Sequence, residues 1–192
     1  MQDWSYKLEM HKSLGTGQLL ISEPFMADEN FRRTVVLICE YDSQTGVVGF
    51  ILNRPVKLKL SDLIDVEENI NAPLRLGGPV GTDTIHCIHR FADVPGAIEI
   101  AENHFFGGHF DTIKEKLRSH PDAEESSIFF IGYSGWQMKQ LHDEIKDNSW
   151  IIHPADSTIF TIPANELWKN ILRKMGGVYA QMAEYPEDPE MN

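Results

Sequence analysis

Ser134 is the residue whose surroundings come nearest to a catalytic motif, in the run Gly132-Tyr133-Ser134-Gly135-Trp136. A nucleophile elbow has the pattern Gly-x-Ser-x-Gly, in which a sharp turn from strand to helix exposes the serine hydroxyl. Trp136 occupies the place of the second glycine, where its bulk would obstruct the approach of helix to strand. Gln137, three residues after Ser134, instead predicts a capping box with Ser134 as the N-cap of a helix. We therefore predict no catalytic residue.

Histidine and aspartate side chains around a glycine pair are a second candidate for chemistry. His104, His109 and Asp111 are close in sequence and are ligand types that a metal ion accepts. Their spacing matches no zinc pattern, so we predict neither a metal ion nor another cofactor. The alternative that stays open is a hydrolase that uses Ser134 or a metal at these three residues.

The segment after Ser134 carries a third kind of chemistry. Trp136, Gln140 and Glu144 recur at four-residue spacing, which places them on one face of the predicted helix. An aromatic ring, an amide and a carboxylate together could line a pocket or an interface. A solvated face with one anchored tryptophan is the more common outcome. The sequence leaves both interpretations open.

Two turns could bring further groups to the same site. Asn53-Arg54-Pro55 ends a strand, because proline lacks the N–H that the sheet needs. Gly77-Gly78-Pro79 could form a backbone anion nest, but it lacks the sequence context of a nucleotide-binding loop. A tight turn that enters a strand is the preferred interpretation of this glycine pair.

The charge of the chain limits its partners. The 192 residues have a formal net charge of −12, which repels a phosphate backbone and makes direct nucleic-acid binding an unfavoured hypothesis. Lys169, Arg173 and Lys174 form the basic helix face on which that hypothesis depends. The expected partner is instead an unidentified protein or small molecule.

Targeting signals are absent from the sequence pattern, and the cysteines are few. No apolar run approaches the roughly 18 residues of a membrane span. The N-terminus does not have the basic and apolar regions of a signal peptide, so we expect a cytoplasmic protein without membrane association. Cys39 and Cys87 lie in apolar, strand-like runs without Cys-x-x-Cys spacing, which predicts reduced, buried thiols.

Hydrophobic patterns predict the elements that position these groups. Two β-branched runs, residues 34–40 and 47–52, flank an Asp/Ser/Gly loop and predict a hairpin covered on both faces. Because strands precede and separate helices without strict alternation, we predict a mixed α+β domain with much antiparallel pairing. Further predicted elements are strands at 17–22, 84–90, 97–100 and 127–133, a turn at 105–108, and helices at 110–119, 136–146 and 164–175.

The length predicts one main domain. Residues 1–16 are predicted to be an N-terminal arm, with a short helical turn at residues 8–11. Residues 17–183 form the domain. Residues 184–192 are acidic, contain two prolines and are predicted to be a disordered tail.

Four sequence blocks together resemble the YqgE/AlgH family of small bacterial proteins. The first runs from Gly17 to Pro24, with Asp28, Phe31 and Arg33 after it, and the second joins residues 46–49 to Asn53-Arg54-Pro55. The third is Gly77-Gly78-Pro79-Val80 with His89. The fourth comprises Gly132-Tyr133-Ser134-Gly135-Trp136 with Gln140, Leu141, Glu144 and Trp150.

The resemblance implies a bifurcated, largely antiparallel sheet that partly closes into a small barrel, with helices packed around it. It carries over no catalytic residue, and it implies a link to transcriptional regulation. Our preferred hypothesis is a non-enzymatic, cytoplasmic binding or regulatory protein. Its predicted binding residues are Asn53, Arg54, Pro55, Gly77, Gly78, Pro79, Trp136, Gln140 and Glu144.

Overall fold

A computed structural model describes residues 14–67, 70–120 and 122–187. Within these ranges the chain forms nine strands, five helices and one short 3₁₀ turn, Leu60–Asp62. The strands are β1 (Gln18–Ser22), β2 (Val35–Asp42), β3 (Gly46–Ile51), β4 (Leu74–Leu76), β5 (Val80–His89), β6 (Ile98–Ala101), β7 (His104–Phe106), β8 (Ser127–Trp136) and β9 (Trp150–Pro154). The helices are α1 (Phe110–Ser119), α2 (Met138–Lys146), α3 (Thr158–Thr161), α4 (Ala164–Met175) and α5 (Gly177–Met182). None of these helices is long and apolar enough to cross a membrane.

The strands form one sheet in the order β6-β7-β5-β8-β3-β2-β1-β9, and β4 pairs with β8 beside this path. The β4–β8 pairing is parallel and the others are antiparallel. β8 is the central strand, because its first half pairs with β4 and its last residues pair with β3. The predicted mixed α+β fold with a largely antiparallel sheet is confirmed.

The sheet curls into a half-barrel, which brings its β6 end close to the start of β1. A Cβ atom placed on Gly17 would lie 2.0 Å from the carbonyl oxygen of Ile100 in β6. Gly17 also has a φ of +81°, a conformation that glycine adopts without strain. Glycine is therefore required where the curled sheet approaches its own first strand.

The β2–β3 hairpin is covered on both faces, as its sequence pattern predicts. Val35 and Leu37 face a core with α4, whereas Val36 and Ile38 face a core with α2. A third core packs α1 against β4, β5 and β8. A Cβ atom on Gly49 in β3 would lie 2.8 Å from Val36 and 2.9 Å from the Leu37 carbonyl oxygen, so β2 and β3 approach too closely here for a side chain.

The prediction that Ser134 is the N-cap of the following helix is wrong. β8 continues to Trp136, and α2 begins at Met138 with Gln137 as its N-cap. Ser134 caps no helix, since it pairs with Gly49 of β3 and its hydroxyl donates to the Gly77 carbonyl oxygen at 3.0 Å. Because β8 pairs with β3 beyond Gly132 and Gly135, the strand continues to Trp136. This long-range pairing outweighs the local preference for a helix cap at Ser134.

The predicted turn at 105–108 is wrong in its first half. Phe105 and Phe106 belong to β7, which pairs with both β5 and β6. The turn is confined to Gly107 and Gly108, whose φ angles are +68° and +95°. The pairing of two neighbouring strands stabilises an extended conformation that the short aromatic run alone does not specify.

Buried thiols are present at Cys39 and Cys87, as predicted. Both are free, and each is only 2% exposed. Burial raises the pKa of both thiols well above the ordinary range. Neither cysteine therefore has the accessible thiolate that nucleophilic chemistry requires.

The predicted terminal segments lie largely outside the described residues. The helical turn at 8–11 and most of the arm precede residue 14, and the last residues of the tail follow residue 187. The first part of the tail contacts the domain: Glu184 forms an ion pair with Arg173 at 2.8 Å, and Tyr185 stacks on Phe25. The division into arm, domain and tail stays a prediction.

An ion pair between Asp156, in the turn before α3, and Lys174 of α4 makes the stability of the fold depend on pH in the acid range. Burial alone would raise the pKa of Asp156, but hydrogen bonds from Lys174 and Thr158 outweigh it and lower the pKa to about 2. A carboxyl group with a lowered pKa in the folded state stabilises the fold above its ordinary pKa, here 3.8, and this contribution is lost as the pH falls through about 2.

We expect Asp156→Asn to remove this part of the acid dependence. Denaturant unfolding at a series of pH values from about 5 to about 2 should show a smaller decline for the variant than for the natural chain. Lys174→Gln should have part of this effect, because it removes the ion pair but leaves the hydrogen bonds from Thr158. Parallel declines for all three proteins would contradict this assignment.

Candidate functional site

Glu144 on α2 is the centre of the most unusual polar cluster in the described chain. Its Oε2 accepts the indole N–H of Trp136 at 3.1 Å and that of Trp150 at 2.7 Å, and its Oε1 accepts the Gln140 amide at 2.9 Å. Among the described residues no lysine or arginine forms an ion pair with it. The carboxylate is therefore held by three neutral donors, which orient it without cancelling its charge.

Aromatic rings surround this carboxylate. Trp136 ends β8, Trp150 begins β9, and Phe31 lies in the turn between β1 and β2. The three ring centroids are 5.3 to 5.9 Å apart. Both indoles are almost fully buried, so their N–H groups need an acceptor inside the protein, which Glu144 provides.

A cavity of about 240 Å³ opens beside these rings. We call it the aromatic pocket, and define it by Asp28, Phe31, Trp136, Gln140, Glu144 and Trp150. Met26, Pro79 and Val80 extend its apolar wall, and no lysine or arginine lines it. Its two carboxylates therefore give it a negative potential.

A second cavity, of about 390 Å³, lies on the other side of the turn that carries Phe31. We call it the basic pocket, and define it by Arg32, Arg33, Asn53, Arg54, Asn165 and Lys169. A small depression of about 210 Å³ shares Pro79 with the aromatic pocket, and Glu29 and Arg54 with the basic pocket. The three cavities thus adjoin one another along one surface.

The predicted binding residues divide between these cavities and the core. Trp136, Gln140 and Glu144 line the aromatic pocket, together with Pro79. Asn53 and Arg54 line the basic pocket, and Gly78 lines the depression between the two. Pro55 and Gly77 line none of the three.

The glycine turn is tightly packed between strands. The Gly77 N–H donates to the Ile131 carbonyl, and the Gly77 carbonyl accepts from the Ile51 N–H and the Ser134 hydroxyl. A Cβ atom on Gly78 would lie 2.3 Å from the backbone of Tyr133. Because the backbone groups of Gly77 are paired and Gly78 lies against Tyr133, this stretch is a tight turn that enters β5, as the preferred interpretation has it.

Asn53 has a structural task in addition to lining a cavity. Its amide oxygen accepts the Val35 N–H at 2.9 Å, and its amide nitrogen donates to the Arg33 carbonyl at 2.8 Å. Arg33 has a φ of +52°, which costs free energy in a residue with a side chain. Asn53 thus fixes the strained turn that carries the arginines of the basic pocket.

The hydrolase alternative receives no support from the position of Ser134. The side chain is fully buried, and its hydroxyl donates to the Gly77 carbonyl. In the described chain no histidine hydrogen-bonds to this hydroxyl, so the base that would activate it is missing.

The metal alternative is not supported by the histidines. His104 is buried, with Nδ1 at the Glu102 carbonyl, whereas His109 is exposed and contacts Thr112. Asp111 forms an exposed ion pair with Lys114 at 2.8 Å. Over the described ranges, no group of three or more histidine, cysteine or acidic side chains could hold a metal ion.

The basic helix face is largely neutralised. Arg173 forms an ion pair with Glu184, and Lys174 forms one with Asp156 at 2.7 Å. Only Lys169 of the three lines a cavity described above. The face therefore lacks the row of free charges that binding to a nucleic-acid backbone would use.

Comparison with known proteins identifies the family. A family model described as AlgH-like, DUF179, matches residues 19–180. The chain belongs to the AlgH-like family. A UPF0301 protein of Chlorobium limicola is 40% identical over 183 residues, which cover 93% of this chain and 96% of the relative. A UPF0301 protein of Bacteroides fragilis is 38% identical over 178 residues, covering 92% and 90%.

Solved structures show the same fold. The solution structure of the AlgH protein from Pseudomonas aeruginosa matches with a TM-score of 0.70 and 26% identity, covering 88% of this chain and 93% of that one. The crystal structure of a protein from Corynebacterium diphtheriae matches with a TM-score of 0.75 at 20% identity, covering 90% and 93%, and shows the fold alone. Membership in the AlgH-like family assigns no specific activity.

Phe31, Asp28 and Trp150 belong to the aromatic pocket but were not among the predicted binding residues. Phe31 and Asp28 come from a turn more than a hundred residues before Trp136, and no periodicity connects them. The sequence does contain one signal for Trp150. A tryptophan in an apolar strand needs a buried acceptor for its indole N–H, and Glu144 is only six residues away.

Proposed function

We propose that this AlgH-like protein is a non-enzymatic binding protein whose ligand site is the aromatic pocket. The observation that carries the proposal is the Glu144 carboxylate, held in place by two indole N–H groups in a cavity without basic residues. A preorganised charge beside an apolar wall is typical of small-molecule sites. The ligand would contribute the missing positive charge.

The chemistry of the pocket favours an organic cation. Glu144 and Asp28 supply negative charge, and the rings of Phe31, Trp136 and Trp150 supply faces that attract a cation. A cation over an aromatic ring gains roughly 0.5–2 kcal/mol, with the larger value where water is excluded. The charge of an amine would pair with the carboxylates of Asp28 and Glu144, and a small apolar body would pack against the apolar wall.

The proposal extends to the setting of this binding. We propose a regulatory role in the cytoplasm with a link to transcription, with an unidentified protein or small molecule as the partner. Family resemblance supports this role, and the neutralised basic face supports an indirect link rather than direct contact with DNA.

We also propose that the half-barrel closes in part into the small barrel, with a bifurcated sheet, that the family resemblance implies. The close approach of Ile100 to Gly17 supports the barrel. The two partners that β8 has along its length, β4 and then β3, support the bifurcation.

Glu144→Gln tests the binding proposal, because the variant keeps an acceptor for the indoles but loses the charge. The indole N–H resonances of Trp136 and Trp150 are the readout, during titration with primary, methylated and quaternary amines. We expect saturable shifts for at least one amine class in the natural chain, and binding at least about tenfold weaker in the variant.

Asp143→Asn is the matched control. Asp143 is the neighbouring acid on α2, forms ion pairs with Lys139 and Lys146, and does not line the pocket. Its removal should leave amine binding unchanged. The proposal fails if no amine gives a saturable shift, or if both variants lose binding equally.

A further inference from the structure

The basic pocket concentrates positive charge in a strongly acidic chain. Four basic side chains, those of Arg32, Arg33, Arg54 and Lys169, line it together with two carboxylates, which leaves a formal excess of two positive charges. The whole chain has a formal net charge of −12. We propose that this pocket binds a phosphate group of a free ligand.

Among the described residues, none of the four cations is in an ion pair. Seven ion pairs are formed within the described ranges, and none of them includes a basic residue of this pocket. The two carboxylates that line it, Glu29 and Glu187, are likewise in no ion pair with these cations. The pocket's positive charge is therefore available to an anion that enters from solvent.

The arginines are held by neutral acceptors instead. Arg54 donates to the Arg32 carbonyl at 3.0 Å, and Arg32 Nε donates to the Met26 carbonyl at 3.2 Å. Arg33 donates to the carbonyl of Tyr185 at 2.6 Å, and its guanidinium lies 5.0 Å from the ring centre of Trp168. Carbonyl groups orient a guanidinium without cancelling its charge, so the three arginines are positioned before a ligand arrives.

Arg33, which lines the pocket, has an unpaired donor and a strained backbone. Its Nε atom is buried and has no hydrogen-bond partner among the described residues. Its backbone is held at a φ of +52°, and Asn53 accounts for the restraint. Native proteins rarely leave a buried donor unpaired, and they place strained residues preferentially at functional sites.

The start of α4 adds a second attraction for an anion. Asn165, in the first turn of this twelve-residue helix, lines the pocket, and no side chain caps the helix N-terminus. Unpaired N–H groups and the helix dipole favour negative charge at this end. Guanidinium groups are the preferred side chains for phosphate because their N–H groups match its oxygens in pairs.

Inorganic pyrophosphate at low ionic strength is the probe, with isothermal titration calorimetry as the readout. We expect saturable binding to the natural chain, and binding weaker by about tenfold or more in Lys169→Gln, since a charge-assisted contact is lost. Raising the salt concentration should weaken binding in the natural chain as well.

Lys174→Gln is the control on the same helix, because Lys174 forms an ion pair with Asp156 and does not line the pocket. It should bind pyrophosphate like the natural chain, as should Glu144→Gln, which alters only the aromatic pocket. Unfolding midpoints of all variants show whether each is folded. Equal losses in Lys169→Gln and Lys174→Gln would overturn the proposal in favour of a diffuse charge effect.

A chain ending at Glu187 tests the acidic C-terminal segment, which includes Asp188 and Glu190, as a competing occupant. Tighter pyrophosphate binding in this shortened chain supports the site and identifies the segment as its competitor. Unchanged binding supports the site without that competition. The absence of saturable binding in both the full and the shortened chain overturns the proposal.

Discussion

Replacing Glu144 by alanine should lower the free energy of unfolding by about 2–6 kcal/mol. The reason is that the indole N–H groups of Trp136 and Trp150 lose their acceptor, and each unpaired buried donor costs about 1–3 kcal/mol. Glu144 is only partly buried, so its own loss of packing adds little. Denaturant unfolding, followed by tryptophan fluorescence, measures the effect.

Glu144→Gln shows whether the acceptor or the charge of Glu144 stabilises the fold. The glutamine oxygen can still accept both indole N–H groups, so its stability should fall by less than about 1 kcal/mol. A loss as large in Glu144→Gln as in Glu144→Ala would mean that the charge, rather than the acceptor, stabilises the tryptophans. The pair of variants thus separates the structural from the binding role of one carboxylate.

Phe50→Ala should destabilise the protein by about 3–5 kcal/mol. Phe50 is fully buried on the inner face of the half-barrel, with ring centroids 5.0 Å from Phe130, 5.0 Å from His86 and 5.3 Å from Phe106. Removal of the ring leaves a cavity between the four strands β3, β5, β7 and β8, which cannot collapse without moving the sheet. The free energy of unfolding from urea titration measures the loss.

Phe25→Ala is a suitable control, since Phe25 is 37% exposed at the surface and contacts Tyr185 of the C-terminal segment. It should cost less than about 1 kcal/mol. Similar losses in the two variants would contradict the assignment of Phe50 to the core that unites the sheet with α4.

Local sequence patterns predict the parts of this fold that are made of neighbouring residues. The β2–β3 hairpin follows from two β-branched runs around a polar loop, and α1 and α4 follow from apolar residues at helical spacing. Trp136, Gln140 and Glu144 meet as their spacing predicts, although Trp136 ends a strand, because α2 begins only two residues later.

Contacts between distant segments explain what the sequence could not predict. Ser134 and Gln137 satisfy the rule for a capping box, yet pairing with β3 keeps Ser134 in the strand. Phe31 contacts Trp136, and Arg32 and Arg33 line one pocket with Lys169. In each case the residues come from segments far apart in sequence, and no periodic pattern relates them. Both pockets therefore depend on contacts between distant segments, which single-sequence patterns do not encode.

The position of β1 has a consequence for how the molecule is made. β1 lies between β2 and β9, and its Gln18 pairs with Pro154 of β9. One edge of β1 therefore stays unpaired until β9, more than a hundred residues later, is available. During synthesis this edge stays open after the β2–β3 hairpin can form, and an open apolar edge invites association with other chains. Pairings of such long sequence separation also slow folding. We expect a nascent chain that depends on chaperones until β9 has been translated.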